Sequence, residues 1–314
     1  MLRQREHVGR EKPEAEHKHG AHRHGDPGPA GTHRRGVPLS HEHHDHRAQV
    51  VVQTCGGADR AAHLGPATAP DAARSMAARA KVAQKGWAAR PLSERIALVR
   101  QGVANLNAMK DRVVEELAWQ MGRPTRFGGE FGGVNARTDY MAEIAEQTLA
   151  PIIIEDSDKF RRYLAREALG VVFIVAPWNY PYLTAINTLV PALIAGNAVI
   201  LKHASQTLLV GERLADAFHA AGVPADVFQN VVLDHATTES LIGARAFDFV
   251  NFTGSVGGGQ AMERAAAGTF TPMGLELGGK DPGYVRADAN LEAAVDTLMD
   301  GAMFNSGQCC CGIE

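Results

Sequence analysis

The sequence predicts an open α/β fold built on a parallel sheet. Short apolar segments, typical of strands buried on both faces, alternate with helical segments that end at glycines such as Gly196 and Gly222. The loops between them are short, as in parallel sheets joined by right-handed crossovers. The predicted strands are GVVFIVAP (170–177), NAVILKH (197–203), DVFQNVV (226–232) and FDFVNFTGS (247–255).

Helices are predicted on both sides of this alternating region. Four helices are predicted before the first strand, over 71–90, 93–110, 111–122 and about 134–149. These segments are rich in alanine or have apolar residues at helical spacing. The segment 151–170 is typical of extended, partly amphipathic strands. After the last predicted strand, LEAAVDTLMDGAMF (291–304) predicts an amphipathic helix whose apolar face holds Ala294, Val295, Leu298, Met299 and Ala302.

The composition excludes several classes of function. The chain has 314 residues and a formal net charge of −3, which gives no reason to expect binding to nucleic acid or to an anionic membrane. No apolar run reaches about 18 residues, so no transmembrane helix is expected. The N-terminus lacks the apolar region of a secretory signal. Four cysteines, three of them adjacent, form no disulfide framework and indicate a reducing, cytoplasmic setting.

Residues 1–65 differ from the rest of the chain. They hold 11 of the 14 histidines and show little hydrophobic periodicity. They are either a disordered tail that cannot bury enough apolar surface to order itself, or non-native sequence from a misplaced start. A weak zinc or nickel site is a further alternative, because imidazole is a good ligand for both metals.

The carboxyl ends of parallel strands are where open α/β sheets bind ligands, so the residues that follow each strand are candidates. After the first strand, PWNYP (177–181) holds Asn179 on a turn stiffened by two prolines, which suits a donor aimed at a developing oxyanion. Asn179 equally fits a turn residue that bonds its own backbone. After the second strand, Lys202 either binds a ribose hydroxyl or phosphate, or is a solvated strand-terminal lysine.

Two further motifs follow the fourth strand. FTGSVGGG (252–259) is a glycine-rich strand-to-helix turn, which suits a pyrophosphate at a helix N-terminus but is a weak signal alone. GLELGGKDPGYV (274–285) contains Glu276 in an apolar segment. A carboxylate there is costly unless it is paired, hydrated or functional. Glu276 is therefore either a partly buried general base or a satisfied structural residue.

The chain ends in FNSGQCCCGIE, with Cys309, Cys310 and Cys311 close after an Asn-Ser-Gly turn. A cysteine on a loop is a nucleophile where its thiolate is stabilised, and otherwise it is usually a small buried residue. Adjacent cysteines lack the C-x-x-C spacing of zinc sites, so no metal site is predicted here.

Five motifs together resemble the aldehyde dehydrogenase superfamily in order and spacing, over about residues 71–314: PWNYP, ILKHAS, FTGSVGGG, LELGGK and FNSGQCC. The resemblance implies a Rossmann-like parallel sheet, an NAD(P)-dependent oxidoreductase, a small aldehyde substrate and a homo-oligomer, dimer or tetramer. It implies a dinucleotide-binding domain over 71–276 with an oligomerisation hairpin near 150–168. Residues 277–314 then begin a catalytic domain.

The resemblance also implies roles for individual residues. Cys310 matches the nucleophile, Glu276 the general base and Asn179 the oxyanion donor. The matching cofactor contacts are Trp178, Lys202, Ser205, Gly254, Ser255, Gly259 and Leu277. In the implied mechanism the Cys310 thiolate attacks the aldehyde, hydride leaves for the nicotinamide, and Glu276 activates the water that releases the carboxylic acid from the thioester.

The sequence departs from the family pattern in two places. KHAS (202–205) replaces the usual Lys-Pro-x-Glu, so Ser205 stands where a carboxylate would chelate the ribose. Because that carboxylate would repel a 2′-phosphate, its loss predicts that NADP is tolerated alongside NAD. Family chains continue well past the nucleophile, so an inactive fragment is expected. A non-catalytic dinucleotide-binding remnant and a CoA-acylating enzyme are the alternatives, although Glu276 favours hydrolysis.

Overall fold

A computed structural model describes residues 67–313, so the histidine-rich segment 1–65 and its proposed metal site lie outside the described residues. Four helices open the described part, with a 3-10 turn over Thr125–Phe127 between the last two. This confirms the four helices predicted from the sequence. Their bounds are α1 Pro70–Ala88, α2 Leu92–Ala108, α3 Lys110–Met121 and α4 Phe131–Leu149.

An antiparallel hairpin follows α4, within the segment where extended structure was predicted. It consists of β1 Ile152–Asp156 and β2 Arg161–Leu164. The isoleucines at 152–154 and Tyr163 are exposed. A two-stranded hairpin with no core of its own is at best marginally stable in water, so this surface is a candidate for contact with another chain.

The central sheet has five strands, each paired in parallel with its neighbours, in the spatial order β5-β4-β3-β6-β7. The predicted fold class is thereby confirmed. The strand order reverses between β3 and β6, which is where open α/β sheets bind ligands. The strands are β3 Val171–Val175, β4 Ala198–Lys202, β5 Phe228–Val231, β6 Phe249–Gly254 and β7 Met273–Leu277, and the helices between them are α5 Pro181–Ile194, α6 Leu208–Ala220, α7 His235–Gly243 and α8 Val256–Ala266.

The central strands are buried on both faces, which explains their uninterrupted apolar sequence. On one face Val172 and Ile174 of β3 pack into a cluster that includes residues of α2 to α6. On the other face Val171 and Phe173 pack with residues of α1, α7 and α8. The sheet is therefore a rigid platform, and the loops at its carboxyl edge are held by helices on both sides.

Residues 278–313 follow β7 and contain α9 Leu291–Met303, a 3-10 turn over Phe304–Gly307 and a parallel bridge between Asp281 and Ile313. The predicted amphipathic helix is present, but within residues 67–313 no side chain of α9 is buried. Its apolar face therefore meets no core in the described part. None of the helices there is both long and apolar enough to cross a membrane.

Candidate active site

The turn after β3 carries Asn179 at the point where the strand order reverses. Pro177 is buried, Asn179 is half-buried, and Pro181 begins α5. The carbonyl oxygen of Asn179 accepts two hydrogen bonds, from Arg123 Nη2 at 2.6 Å and from Asn305 Nδ2 at 3.0 Å. Within residues 67–313 the Asn179 side chain makes no hydrogen bond. The alternative of a turn residue bonding its own backbone is therefore not what the structure has.

The loop that leads to Cys310 has an unusual backbone. Asn305, Ser306 and Gly307 all have positive φ, at 52°, 61° and 74°. A left-handed conformation costs a non-glycine residue about 1 kcal/mol, so two such residues in a row need compensating contacts. Asn305 supplies them: it is 1% exposed, and its Nδ2 donates to the carbonyl oxygens of Asn179 and, at 3.3 Å, Gln308.

A buried ion pair joins this loop to the Asn179 turn. Arg123 Nη1 lies 2.5 Å from Glu130 Oε1, and both side chains are less than 5% exposed. The same guanidinium donates through Nε to Asn305 Oδ1 at 2.8 Å. Burial raises the pKa of Glu130 to about 7, while Arg123 and the Leu183 N–H act to lower it. No sequence pattern marks this network, because Arg123 and Glu130 lie in the irregular segment between α3 and α4.

Cys310 is exposed, and its carbonyl oxygen accepts a hydrogen bond from the Gly279 N–H at 3.1 Å. The adjacent Gly278 N–H donates to the carbonyl oxygen of Gly254, also at 3.1 Å. The segment that carries Glu276 is thus tied to the cysteine loop and to the glycine-rich turn. Glu276 itself is exposed, which corrects the expectation of a partly buried side chain. The reason is that β7 is an edge strand whose end is left open by residues 278–313.

The three cysteines differ in their surroundings. Cys309 Sγ and Cys311 Sγ lie 3.5 Å apart, and all three thiols are free. The hydrogen bond with Cys309 is the largest cause, and the electrostatic interaction with Cys309 the next, that raise the pKa of Cys311 to about 11. Burial and then Cys309 raise the pKa of Tyr180 as well. Cys311 and Tyr180 therefore stay protonated at neutral pH, and Cys309 is engaged by both of them.

Lys202, at the end of β4, is buried with 8% of its surface exposed. The alternative of a solvated strand-terminal lysine is thus wrong. Burial lowers its pKa, and the carboxylate of Asp234 opposes that shift. Three residues further on, Ser205 is exposed. A cation at a strand end, followed in the next loop by an exposed hydroxyl, is suited to a ribose or a phosphate oxygen.

The glycine-rich turn after β6 makes a compact start to α8. Ser255 caps the helix by accepting a hydrogen bond from the Gly258 N–H at 3.1 Å. A Cβ on Gly258 would lie 2.5 Å from the Phe252 ring, and one on Gly259 would lie 2.7 Å from Leu277. By contrast, a Cβ on Gly257 would meet nothing within 4 Å. The turn is packed on its inner side and open on its outer side, which fits a pyrophosphate at the helix N-terminus.

A pocket of about 330 Å³ lies beside the Arg123–Glu130 pair. Its walls include aromatic and aliphatic side chains from the 3-10 turn, from α4, from the Asn179 turn, from α5 and from the cysteine loop: Phe127, Phe131, Tyr180, Leu183 and Phe304. Asn305 also lines it. The pocket therefore presents an apolar wall next to the loop that leads to Cys310.

Comparison with known proteins identifies the family. A profile described as "Aldehyde dehydrogenase family" matches residues 46–314, which is most of the chain. The chain belongs to the aldehyde dehydrogenase family. This membership confirms the resemblance drawn from the five motifs.

Several aldehyde dehydrogenases are similar to the chain. A lactaldehyde dehydrogenase from Escherichia coli is 33% identical over 245 residues, which are 77% of this chain and 51% of that protein. An aminoaldehyde dehydrogenase from Malus domestica is 33% identical over 258 residues, 79% of this chain and 51% of that protein. The chain thus spans about half the length of the curated relatives it matches.

Solved structures agree on the fold. An NAD-dependent benzaldehyde dehydrogenase from Corynebacterium glutamicum superposes with a TM-score of 0.73 at 30% identity, covering 80% of this chain and 55% of that one. A succinic semialdehyde dehydrogenase from Streptococcus pyogenes, solved with NADP+, has a TM-score of 0.73 at 26% identity and the same coverage.

Proposed function

We propose that the chain carries the nucleotide-binding and nucleophile-bearing part of an NAD(P)-dependent aldehyde dehydrogenase, which oxidises an aldehyde to a carboxylic acid through Cys310. One observation supports this most strongly. The Cys310 loop is hydrogen-bonded both to the Asn179 turn, through Asn305, and to the Glu276 segment, through Gly279. The three proposed catalytic residues therefore belong to neighbouring segments at the carboxyl edge of one sheet.

Each residue has a chemical task in this proposal. The Cys310 thiolate attacks the aldehyde carbon, and a C–S bond forms while the carbonyl π electrons move to oxygen. The resulting oxyanion accepts hydrogen bonds from the Asn179 side-chain amide and the Cys310 backbone N–H. After oxidation to the thioester, Glu276 takes a proton from water, the hydroxide adds to the acyl carbon, and the C–S bond breaks to return the thiolate.

The nucleotide would be held at the ends of β4, β6 and β7. Lys202 and Ser205 would contact the adenosine ribose, and Gly254 and Ser255 the pyrophosphate. Trp178, Gly259 and Leu277 would line the remainder of the site. A bound nicotinamide nucleotide supplies the hydride acceptor. The open outer side of the α8 N-terminus and the buried cation at Lys202 support this assignment.

The aldehyde would approach Cys310 from the 330 Å³ pocket. The aromatic and aliphatic wall supports an apolar or aromatic aldehyde, because a cavity of this size and lining favours burial of apolar surface. Arg123 and Glu130 also line the pocket, but they neutralise each other, and Arg123 donates its other hydrogen bonds to Asn305 and to the Asn179 carbonyl oxygen. A free carboxylate on the substrate would therefore gain little from this pair, and Lys110 is the other cation of the pocket lining.

The test is formation of NADH or NADPH from an aromatic and an aliphatic aldehyde. It uses the 314-residue chain and a chimaera in which the chain continues into the C-terminal half of a family member. Cys310→Ala should abolish turnover, and Cys309→Ala and Cys311→Ala should mostly spare it. Turnover in the chimaera alone would support an inactive fragment. Nucleotide binding without Cys310-dependent turnover in either protein would favour the non-catalytic alternative.

We also propose that the hairpin β1–β2 is an interface in a homo-oligomer. The exposed isoleucines and Tyr163 form an apolar surface on a two-stranded element, which supports this role. Light scattering after size exclusion should show a dimer or tetramer that Ile153→Asp shifts toward monomer. Exposed Val82 in α1 provides the control, since Val82→Asp should leave the assembly unchanged.

A further inference from the structure

Arg123 connects the two loops that carry the proposed nucleophile and the proposed oxyanion donor. Its guanidinium donates to Asn305 Oδ1 at 2.8 Å and to the Asn179 carbonyl oxygen at 2.6 Å. The third direction is filled by Glu130 at 2.5 Å. Since the guanidinium is planar and its donors have a fixed geometry, these three bonds set the positions of their partners relative to one another.

From this geometry we infer that Arg123 is a positioning residue. It holds the Cys310 loop against the Asn179 turn, which fixes the position of the nucleophile relative to the oxyanion donor. The inference rests on the proposed function for the roles of Cys310 and Asn179. Arg123 acts through Asn305 and through a backbone carbonyl, and it need not touch the substrate's reacting atoms.

Glu130 makes the arrangement possible. An arginine with 3% exposure requires a compensating charge, because desolvating an unpaired cation is costly. Glu130 supplies that charge, and its second oxygen accepts from the Leu183 N–H at 2.7 Å, within the first turn of α5. The ion pair is thus anchored on the helix that begins at Pro181, two residues after Asn179.

The Arg123 side chain also offsets the backbone cost of the loop. Asn305 and Ser306 adopt positive φ, and only Asn305 has buried side-chain partners among those described. Without Arg123, the Asn305 side chain loses its donor at Oδ1, and the loop loses one of the buried hydrogen bonds that hold this shape. We expect Cys310 then to sample positions from which Asn179 cannot reach the oxyanion.

Two reactions of the same thiol separate positioning from simple reactivity. Iodoacetamide alkylates a thiolate with loss of iodide, and no oxyanion forms. p-Nitrophenyl acetate acylates the thiolate through a tetrahedral oxyanion: the C–S bond forms, the C–O bond breaks, and the electron pair leaves on p-nitrophenolate. The ratio of acylation to alkylation rate constants therefore reports the oxyanion donors. Neither reaction needs the nucleotide, and exposed Cys310 is open to both reagents.

The experiment uses the full chain with Cys55, Cys309 and Cys311 replaced by alanine, so that Cys310 is the one thiol left among the chain's four cysteines. Arg123→Met should lower the acylation-to-alkylation ratio by about tenfold or more, up to the roughly 100- to 1000-fold that complete loss of an oxyanion-hole donor costs. Arg123→Lys keeps the charge but not the three-way geometry, and should restore the ratio in part. Asn305→Gly removes the bridging amide while glycine tolerates the positive φ, and should lower the ratio as Arg123→Met does.

Arg95→Met is the matched control. Arg95 is also buried and donates to backbone carbonyls, at Ile194 (2.9 Å) and Ala88 (3.0 Å), away from the cysteine loop. Its loss should reduce the free energy of unfolding and leave the ratio unchanged. The inference is overturned if Arg123→Met and Asn305→Gly leave the ratio as it is, or if they lower both rate constants equally. Asn179→Ala tests the proposed function separately, because an unchanged ratio in that variant would refute its oxyanion role.

Discussion

His203 Nε2 lies 3.2 Å from the carbonyl oxygen of Pro181, and this contact joins the loop after β4 to the first residue of α5. The other ring nitrogen, Nδ1, accepts from the Ala204 N–H at 3.1 Å. The imidazole therefore carries its proton on Nε2 and donates to Pro181. This hydrogen bond ties the loop after β4 to the start of α5.

The first prediction concerns acid stability. Burial lowers the pKa of His203 to about 4, so the unfolded chain binds this proton more readily than the folded chain does. Stability should therefore rise with pH between about 4 and 6.5, by about 3 kcal/mol from this residue. Urea unfolding across this pH range should show an increase in the free energy of unfolding that the His203→Gln variant lacks. Above pH 7 the difference between the two proteins should be constant, and a difference with the opposite slope at acid pH would contradict the assignment.

The second prediction concerns Glu130, whose protonation should make stability fall, not rise, with increasing pH. The pKa of Glu130 is raised from about 4.5 to about 7 by burial, so the folded chain holds this proton more tightly than the unfolded chain. The proton held by Glu130 therefore stabilises the fold fully below pH 4.5, and this contribution is lost as pH rises to about 7, where Glu130 becomes the ionised partner of Arg123. Glu130→Gln should remove this decline. If the free energies of unfolding of wild type and variant change in parallel from pH 4.5 to 7, Arg123 compensates the burial of the Glu130 carboxylate completely.

The third prediction contrasts two neighbouring glycines at the start of α8. Gly258→Ala brings a Cβ against the Phe252 ring and should cost about 1–3 kcal/mol of stability. Gly257→Ala meets nothing within 4 Å and should leave stability equal or up to about 1 kcal/mol higher, since alanine favours helix. The same Gly257→Ala should weaken binding of NAD, because its methyl group enters the proposed pyrophosphate site. Equal stability loss in both variants would argue against this packing.

The fourth prediction addresses the choice of nucleotide. Ser205 is exposed near the buried cation of Lys202, and the carboxylate common in the family at this position is missing. NADP should therefore bind with an affinity within about tenfold of that for NAD. Ser205→Glu should weaken the binding of NADP by about tenfold or more and leave the affinity for NAD unchanged or higher, as measured by calorimetry. Binding of NADP far below that of NAD in the unaltered chain would contradict the prediction, and Ser205→Gln separates charge from size.

Much of the fold was predictable from local pattern. The strands 171–175 and 198–202 are buried on both faces, so their sequences are apolar without interruption, and the helices between them end at residues such as Gly196 that adopt positive φ. The fifth strand of the sheet, β7, was not predicted as a strand. It lies at an edge, its burial is incomplete and Glu276 interrupts its apolar sequence, so neither periodicity nor composition marks it.

The residues of the candidate site likewise fall into those that the sequence indicates and those that only the structure reveals. Asn179 and Lys202 could be proposed from the sequence because they lie at or just after the ends of recognisable strands, and Cys310 because it matches a family motif. Arg123, Glu130 and Asn305 were not found, although they hold the site together. Their contacts join positions up to 182 residues apart, and each residue alone looks like an ordinary polar side chain.

The sequence by itself determined the parallel α/β fold, the family and the identity of the motif residues, because these depend on periodicity, spacing and residue type. Only the tertiary structure decided which side chains are buried and what they contact. It buried Lys202 and His203, left Glu276 exposed, and joined the Cys310 loop to the Asn179 turn through Arg123. Burial and long-range hydrogen bonds depend on which segments pack together, and this information is not contained in any short stretch of the chain.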